Sequence, residues 1–421
     1  MFFSLPRDSW FSMEPASTDS LRVSQWRPPW TEKREPPSTR SVAVPACIKS
    51  TWQNHVRARV SARMSLVVLA FLLTCFMVRP MTAVTSDPLD FHWPGSRILA
   101  IGDLHGDIGN TMLLLYGAGV VDEDGNWIAG DTLLIQTGDV VDRGPDGKRI
   151  YDYFATLSAQ ARDQGGKIIQ LLGNHDVMNI CGDFRYAHPS ETNEFGGALE
   201  RRRQFMDGGH YGNMLRSFPL SIKANGVIFS HAGIPSDFAV LGLSKLTEQL
   251  REELANDCKL HNTRFYNEAM GSSTGDLFVA GSQGPLWTRV YAMGQMTKIC
   301  EELDKTLGIL DSEKMVIGHT VQESGNIEVY CGGRLLLIDT GVSRYVADSP
   351  RMLEIRDGAF FEWRLDISKQ GTDGEPNVRG SKRQLNIPPL KKSTDSTATS
   401  ADDGGTCGEE NSNGSSRGDE L

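Results

Sequence analysis

Cysteine is sparse in this chain. There are seven in 421 residues, and Cys181, Cys258, Cys300, Cys331 and Cys407 show no Cys-x-x-Cys spacing. That excludes a disulfide scaffold and a zinc knuckle, and leaves open whether one pair bridges. Positive charge is in deficit, with 43 Lys and Arg against 53 Asp and Glu and a formal net charge of −10. A general nucleic-acid binder needs clustered Lys and Arg against phosphate, so no nucleic-acid partner is expected. The apolar run Leu66–Val78 has thirteen residues. As a helix it reaches about 20 Å, short of a hydrocarbon core of about 30 Å. What is present is core material: 39% of residues are apolar and 8% aromatic, too much for a wholly disordered chain.

Charge is unevenly spread. Residues 1–63 carry ten Lys or Arg and five Asp or Glu, whereas residues 84–421 carry a net −16. The head is rich in Ser, Pro and Arg and reads as a disordered basic leader over 1–63. Residues 64–83 follow as a signal-peptide h-region or short anchor, with Arg57, Arg59 and Arg63 as the basic flank and Ala83 as a candidate cleavage edge. Met64 is an alternative start. A buried core helix and an organelle transit peptide are the alternatives for this segment. From about Gly371 the chain turns polar, so 371–421 reads as a disordered tail. It carries the glycosylation sequon Asn413-Gly414-Ser415 and ends Gly418-Asp419-Glu420-Leu421. That ending is similar to an ER-retrieval tetrapeptide with Gly in place of Lys or His. Together the two ends point to the endoplasmic reticulum lumen or secretory pathway, with an ER-retrieval receptor as partner and membrane contact through an uncleaved leader alone. A plastid or other organelle is the alternative address.

The middle, residues 92–370, alternates short apolar runs with helical stretches such as Tyr151–Arg162, which predicts an α/β sheet. The runs Arg97–Ile101, Thr132–Gln136 and Lys167–Leu172 each stop at or near Gly. Ligand sites of such sheets lie at the carboxyl ends of strands. There the chain places Gly102-Asp103-Leu104-His105, then Gly138-Asp139-Val140-Val141-Asp142-Arg143, then Gly173-Asn174-His175-Asp176. His231 in Ser230-His231-Ala232 and His319 in Gly318-His319-Thr320 follow. Imidazole nitrogen with carboxylate and amide oxygen suits divalent metals such as Zn, Fe and Mn. One such turn alone is an ordinary Asp or Asn turn; five in one chain, four of them with His, point to a metal centre. Asn225-Gly226, Gly332-Gly333 and Asp357-Gly358 between apolar runs predict hairpins. Leu243, Leu246, Leu250 and Leu254 predict a buried helix face within a helical insertion over about 190–285.

At these residues the chain resembles the metallophosphoesterases, and most closely the Shewanella-like protein phosphatases of the phosphoprotein-phosphatase branch. Leu171–Asn179 running into Gly182–Tyr186 carries the resemblance, with Gly208-Gly209, Leu215–Pro219 and Gly284–Arg289. It implies a calcineurin-like fold, two stacked mixed β-sheets flanked by helices. It also implies two divalent metal ions (Mn, Fe or Zn). Asp103 and His105 would hold the first, Asn174, His231 and His319 the second, and Asp139 would bridge them. Arg143, Asn174 and Arg289 would face the phosphoryl oxygens of a phosphoprotein substrate. His175, oriented by Asp142, would protonate the leaving oxygen after in-line attack by metal-bound hydroxide. Asp176 departs from the branch, which has Glu there. Symmetrical dinucleoside-tetraphosphate hydrolases use Asp at this place, so they stand as the alternative activity. The Ser-Ala-Pro-Asn-Tyr-Cys segment of eukaryotic Ser/Thr phosphatases is absent, which implies poor inhibition by the toxins that bind it. A catalytically weak ER-lumenal binding or scaffolding protein is the non-enzymatic alternative.

Overall fold

The computed structural model describes residues 87–268, 279–368 and 377–390. The leader, the run Leu66–Val78, the sequon and the Gly418–Leu421 ending lie outside them. Among the described residues no helix is long and apolar enough to cross a membrane.

Two six-stranded sheets stack face to face. The first runs β12 (Asn377–Gln384), β11 (Ala359–Ser368), β10 (Arg351–Arg356), β2 (Arg97–Ile101), β3 (Leu133–Gln136), β4 (Lys167–Gln170). Its β2, β3 and β4 are parallel, and β10, β11 and β12 add on antiparallel. The second runs β1 (Asp90–Phe91), β5 (Ser221–Ala224), β6 (Val227–Ser230), β7 (Lys314–Ile317), β9 (Leu335–Leu337), β8 (Glu328–Tyr330). Here β6, β7 and β9 are parallel.

Strand alternation builds the layers, because successive side chains point to opposite faces. Ile98 and Ala100 of β2 enter one buried cluster with Val227 and Phe229 of β6, Val316 of β7 and Leu336 of β9. That cluster is the seam between the sheets. Leu99 and Ile101 face outward into a second cluster with helix residues. Both faces of each central strand are therefore buried, which is why β2 reads as an unbroken apolar run. The hairpins predicted at Asn225-Gly226 and Asp357-Gly358 are present. Their φ values, 50° and 76°, then 52° and 77°, are the positive pair that a two-residue turn needs between right-twisted strands.

The helices are α1 (Ile108–Gly117), α2 (Gly147–Asp163), α3 (Asn174–Ile180), α4 (Pro189–Glu194), α5 (Ala198–Phe205), α6 (His210–Ser217), α7 (Ser236–Ala239), α8 (Leu243–Glu268) and α9 (Met296–Ile309). Leu243, Leu246, Leu250 and Leu254 on α8 are buried at helical spacing. Two boundaries differ from the sequence expectation. The helical segment over about 190–285 is interrupted by the β5–β6 hairpin, which belongs to the second sheet and delivers His231. The sheet also outruns 92–370, with β1 before it and β12 after it. β12 reads Asn-Val-Arg-Gly-Ser-Lys-Arg-Gln and lies at the sheet edge. An edge strand satisfies its backbone on one side and needs no apolar run, so composition alone places it with the tail. A disulfide joins Cys300 on α9 to Cys331 in the β8–β9 turn.

Candidate metal centre and active site

The parallel strands β2, β3 and β4 of one sheet and β6, β7 and β9 of the other end on one rim of the stacked sheets, and each of these rim segments carries a polar group. Asp103 follows β2, Asp139 follows β3 and Asn174 follows β4. His231 follows β6, His319 follows β7 and Asp339 follows β9. All six are buried. The loops bend sharply there. His105, Asp139, Asp142, Arg143 and His319 take positive φ values of 39°, 58°, 69°, 66° and 67°. Non-glycine residues in this region store strain, which the surrounding structure must overdetermine. Here Asp139 O accepts from the backbone N–H of both Leu104 and His105 at 3.0 Å, so the first two turns lock together. Glycines complete the fit: a Cβ on Gly173 would meet Asp139 Oδ1 at 2.1 Å, and one on Gly318 would meet Asp103 Oδ1 at 2.6 Å.

The donor atoms of His105, Asp139 and His175 lie within 4.8 Å of one another, and so do those of Asp139, His231 and His319. Asp139 belongs to both groups. Its Oδ2 is 3.5 Å from His231 Nε2, 3.9 Å from His105 Nε2 and 4.0 Å from His175 Nε2. Asp103 stands beside them, its Oδ2 3.9 Å from His105 Nε2, while its Oδ1 accepts from the His319 backbone N–H at 3.1 Å.

Backbone carbonyls fix the imidazole tautomers, because a carbonyl can only accept. His105 Nδ1 meets Val141 O at 3.1 Å, His231 Nδ1 meets Thr137 O at 2.9 Å, and His319 Nε2 meets Trp287 O at 3.3 Å. Each ring therefore donates there and turns a lone pair inward. His231 Nε2 then faces His319 Nδ1 at 3.1 Å and Asn174 Oδ1 at 2.8 Å. Three lone pairs converge with no proton among them. Such a set repels itself unless a cation lies at its focus, so these residues fit a divalent metal.

The ionisation of the cluster agrees. Burial raises Asp139 to about 7, helped by the charge of Asp176. Burial also raises Asp103 well above the carboxylate range, with Asp339 and Asp139 adding to it. Burial holds His231 down to about 3, and His105 and His319 well below their ordinary value. Buried carboxylates beside neutral imidazoles lack a counter-charge, and divalent cations supply it.

His175 behaves differently. Burial pulls it down, but the charge of Asp139 and the hydrogen bond to Asp142 outweigh that and raise it. Its Nδ1 is 2.7 Å from Asp142 Oδ2, which leaves Nε2 toward the rim. Arg143 and Arg289 are exposed. Arg143 lies over the Tyr186 ring at 5.5 Å, and Arg289 donates to Thr320 Oγ1 at 2.8 Å. Asp176 points away from the rim opening: its carboxylate accepts from the backbone N–H of Asp139, Gly173 and Val140 and from Tyr151 Oη. It buttresses the loops where the phosphatase branch has Glu.

The structure thus brings Asp103, His105, Asp139, Asn174, His175, His231 and His319 together, with Asp142 behind and the two arginines at the mouth. The sequence reading missed Asp339. It is buried, Gly341 N–H donates to its Oδ1 at 3.0 Å, and its Oδ2 has no hydrogen-bond partner. Its signal was available: an apolar run, Leu335–Ile338, stopping at Asp-Thr-Gly. Without a His this turn does not stand apart from an ordinary Asp turn. Arg201, Glu191 and Asn179 behind Asp142 were also missed as site residues.

Residues 96–322 match the family model of calcineurin-like phosphoesterases, which is the class this rim of donors on two stacked mixed sheets defines. Shewanella-like protein phosphatase 1 of Plasmodium berghei is 33% identical over 66% of this chain and 76% of its own length. Shewanella-like protein phosphatase 2 of Arabidopsis thaliana is 28% identical over 62% of this chain and 75% of its own. The crystal structure of a cold-active protein-tyrosine phosphatase from a psychrophilic Shewanella superposes with a TM-score of 0.56, at 25% identity, over 69% of this chain and 82% of that one. The chain belongs to the Shewanella-like protein phosphatases and, with them, to the metal-dependent hydrolases of phosphoric monoesters.

Proposed function

We propose that the chain removes phosphate from phosphorylated Ser, Thr or Tyr side chains of proteins, using two divalent cations held at the strand-end rim. The observation that supports this most directly is Asp139, whose Oδ2 is shared by both donor groups. Asp103, His105 and Asp139 would hold one cation. Asn174, His231, His319 and Asp139 would hold the other, with Mn, Fe or Zn suited to this mixed N and O set. When bound, the pair would neutralise phosphoryl charge and lower the pKa of a water toward neutrality. Arg143 and Arg289 present planar forks at the mouth, suited to paired hydrogen bonds to phosphoryl oxygens, with the Asn174 amide beside them. His175 holds a proton at Nε2 for the departing oxygen, and Asp142 fixes the ring that carries it. Such a proton is worth about 10²–10⁴-fold in rate.

The test is hydrolysis of p-nitrophenyl phosphate with Mn²⁺ and with chelator, by the wild type and by Asp139→Asn, followed by phosphotyrosine peptide, phosphoserine peptide and a dinucleoside tetraphosphate. Metal-dependent release that Asp139→Asn abolishes supports the reading. Faster turnover of the dinucleoside would favour the tetraphosphatase alternative, and no metal-dependent turnover at all would favour a scaffold. A chiral phosphorothioate should react with inversion.

We also propose a secretory-pathway address for the chain. The leader run and Gly418–Leu421 support it, as does the Cys300–Cys331 disulfide, a bond that persists in oxidising compartments. Glycosidase-sensitive mass at Asn413 would test it; a fully reduced, unglycosylated protein from its native cell would sink it.

A further inference from the structure

Behind Asp142 lies a buried polar group that the metal chemistry does not use. Asp142 has both carboxylate oxygens engaged. Oδ2 faces His175 Nδ1 at 2.7 Å. Oδ1 accepts from Asn179 Nδ2 at 3.0 Å and from Arg201 Nη2 at 3.2 Å. Arg201 has no exposed surface. Its remaining donors go to Asn179 Oδ1, at 2.6 and 3.0 Å, and to Glu191 Oε2 at 2.7 Å. The rings of Phe195, Phe184 and Phe205 enclose the guanidinium, at 4.9, 5.2 and 5.5 Å.

An arginine so enclosed has lost its hydration and needs partners to replace it. Glu191 alone would supply an ion pair. Instead the guanidinium also reaches Asp142 and clamps the amide of Asn179, so that the Asn179 NH₂ meets the same Asp142 oxygen. Asn179 Nδ2 also lies 2.9 Å from His175 O. Three helices, α3, α4 and α5, thereby converge on one loop carboxylate, itself held at a φ of 69°.

We propose that Arg201 is a positioning residue for the leaving-group proton: with Asn179 it holds the Asp142 carboxylate in the plane that orients His175. This rests on the reading of His175 as the acid. Removing the clamp should blunt proton delivery and leave substrate binding alone. The loss should then grow with the basicity of the leaving oxygen.

The test compares phenyl phosphate, whose leaving oxygen needs a proton, with 2,4-dinitrophenyl phosphate, whose leaving oxygen does not. For Arg201→Met we expect kcat on phenyl phosphate to fall about 10- to 100-fold, the range of outer-sphere changes at such sites, with KM within about twofold. On the dinitrophenyl ester the fall should stay under about threefold. In a His175→Asn background Arg201→Met should add no further loss, because both act through one group. Arg201→Lys should recover part of the rate. If Arg201→Met does not fold, Arg201→Met/Glu191→Met removes the stranded carboxylate and carries the same expectations. Equal losses on both esters, or a loss that adds to that of His175→Asn, overturns the inference. A His175→Asn that discriminates between the esters beside an Arg201→Met that does not overturns the inference alone. A His175→Asn that fails to discriminate overturns the acid assignment and the inference with it.

Discussion

Asp142 Oδ2 lies 2.7 Å from His175 Nδ1, and both side chains are buried. The contact fixes which nitrogen faces the rim and is one of the causes that raise the affinity of His175 for a proton. An Asn at 142 keeps the shape and removes the charge. Asp142→Asn is expected to lower kcat about 10²-fold with KM within about twofold. Activity that needs protonated His175 is lost as pH rises through its raised pKa. Without Asp142 that pKa drops, so the alkaline limb of the kcat profile moves to lower pH. A profile that keeps its limb in place would refute the assignment.

Metal binding should stabilise the fold increasingly as pH rises. Asp139 has a folded pKa of about 7 against an ordinary 3.8, mainly through burial. A raised carboxylate pKa means the folded protein binds the proton more tightly. Its stability contribution is complete below about pH 4 and is lost as pH rises to about 7. Bound cations would take the place of that proton. His231, held down to about 3, is already deprotonated across this range and does not compete. Calorimetry should therefore show a rise in Tm on adding Mn²⁺ that is larger at pH 7.5 than at pH 5. A constant increment would contradict the proposed role of Asp139.

Tyr151→Phe should cost stability rather than activity. Tyr151 Oη donates to Asp176 Oδ1 at 2.6 Å at a fully buried site. Removing it weakens the carboxylate that gathers the Asp139, Val140 and Gly173 amides. A hydrogen bond to a charged group is worth about 2 kcal/mol. Urea denaturation should show a lower midpoint at unchanged slope. An unchanged midpoint would mean that Asp176 finds another donor.

Arg289→Ala should act on binding. The guanidinium is exposed, and Thr320 Oγ1 anchors it beside the His319 turn. Its loss is expected to raise KM about tenfold and to weaken inhibition by inorganic phosphate to a similar degree, with kcat changed less. Added salt should narrow the difference between wild type and variant, because an exposed charge is screened.

The parts of this architecture that could be read from the chain are those where one residue type has few alternatives. β2 and β3 are apolar runs cut by Gly, and Asn225-Gly226 and Asp357-Gly358 occupy turns that need two positive φ values. The proposed metal ligands announced themselves because Asp and His recur at strand ends. Arg201 could not be read this way. It stands first in Arg201-Arg202-Arg203, and the next two are exposed. Only the packing of α5 against Phe184 and Phe195 turns one of the three inward. β12 was illegible for the opposite reason: an edge strand makes few demands on its side chains.

β10 carries none of the proposed ligands, yet it is hydrogen-bonded along β2, with Leu353 opposite Ala100 and Ile355 opposite Ile98. The turn bearing Asp103 and His105 thus hangs from a strand whose one flank is supplied some 250 residues later in the chain. A polypeptide that stopped just after Val342 would own a complete inventory of ligands and still lack the neighbour that holds the first of them in place. During synthesis the turn bearing Asp103 and His105 would have to wait for the last strands to emerge. A strand that supplies no ligand thus completes the support of the centre.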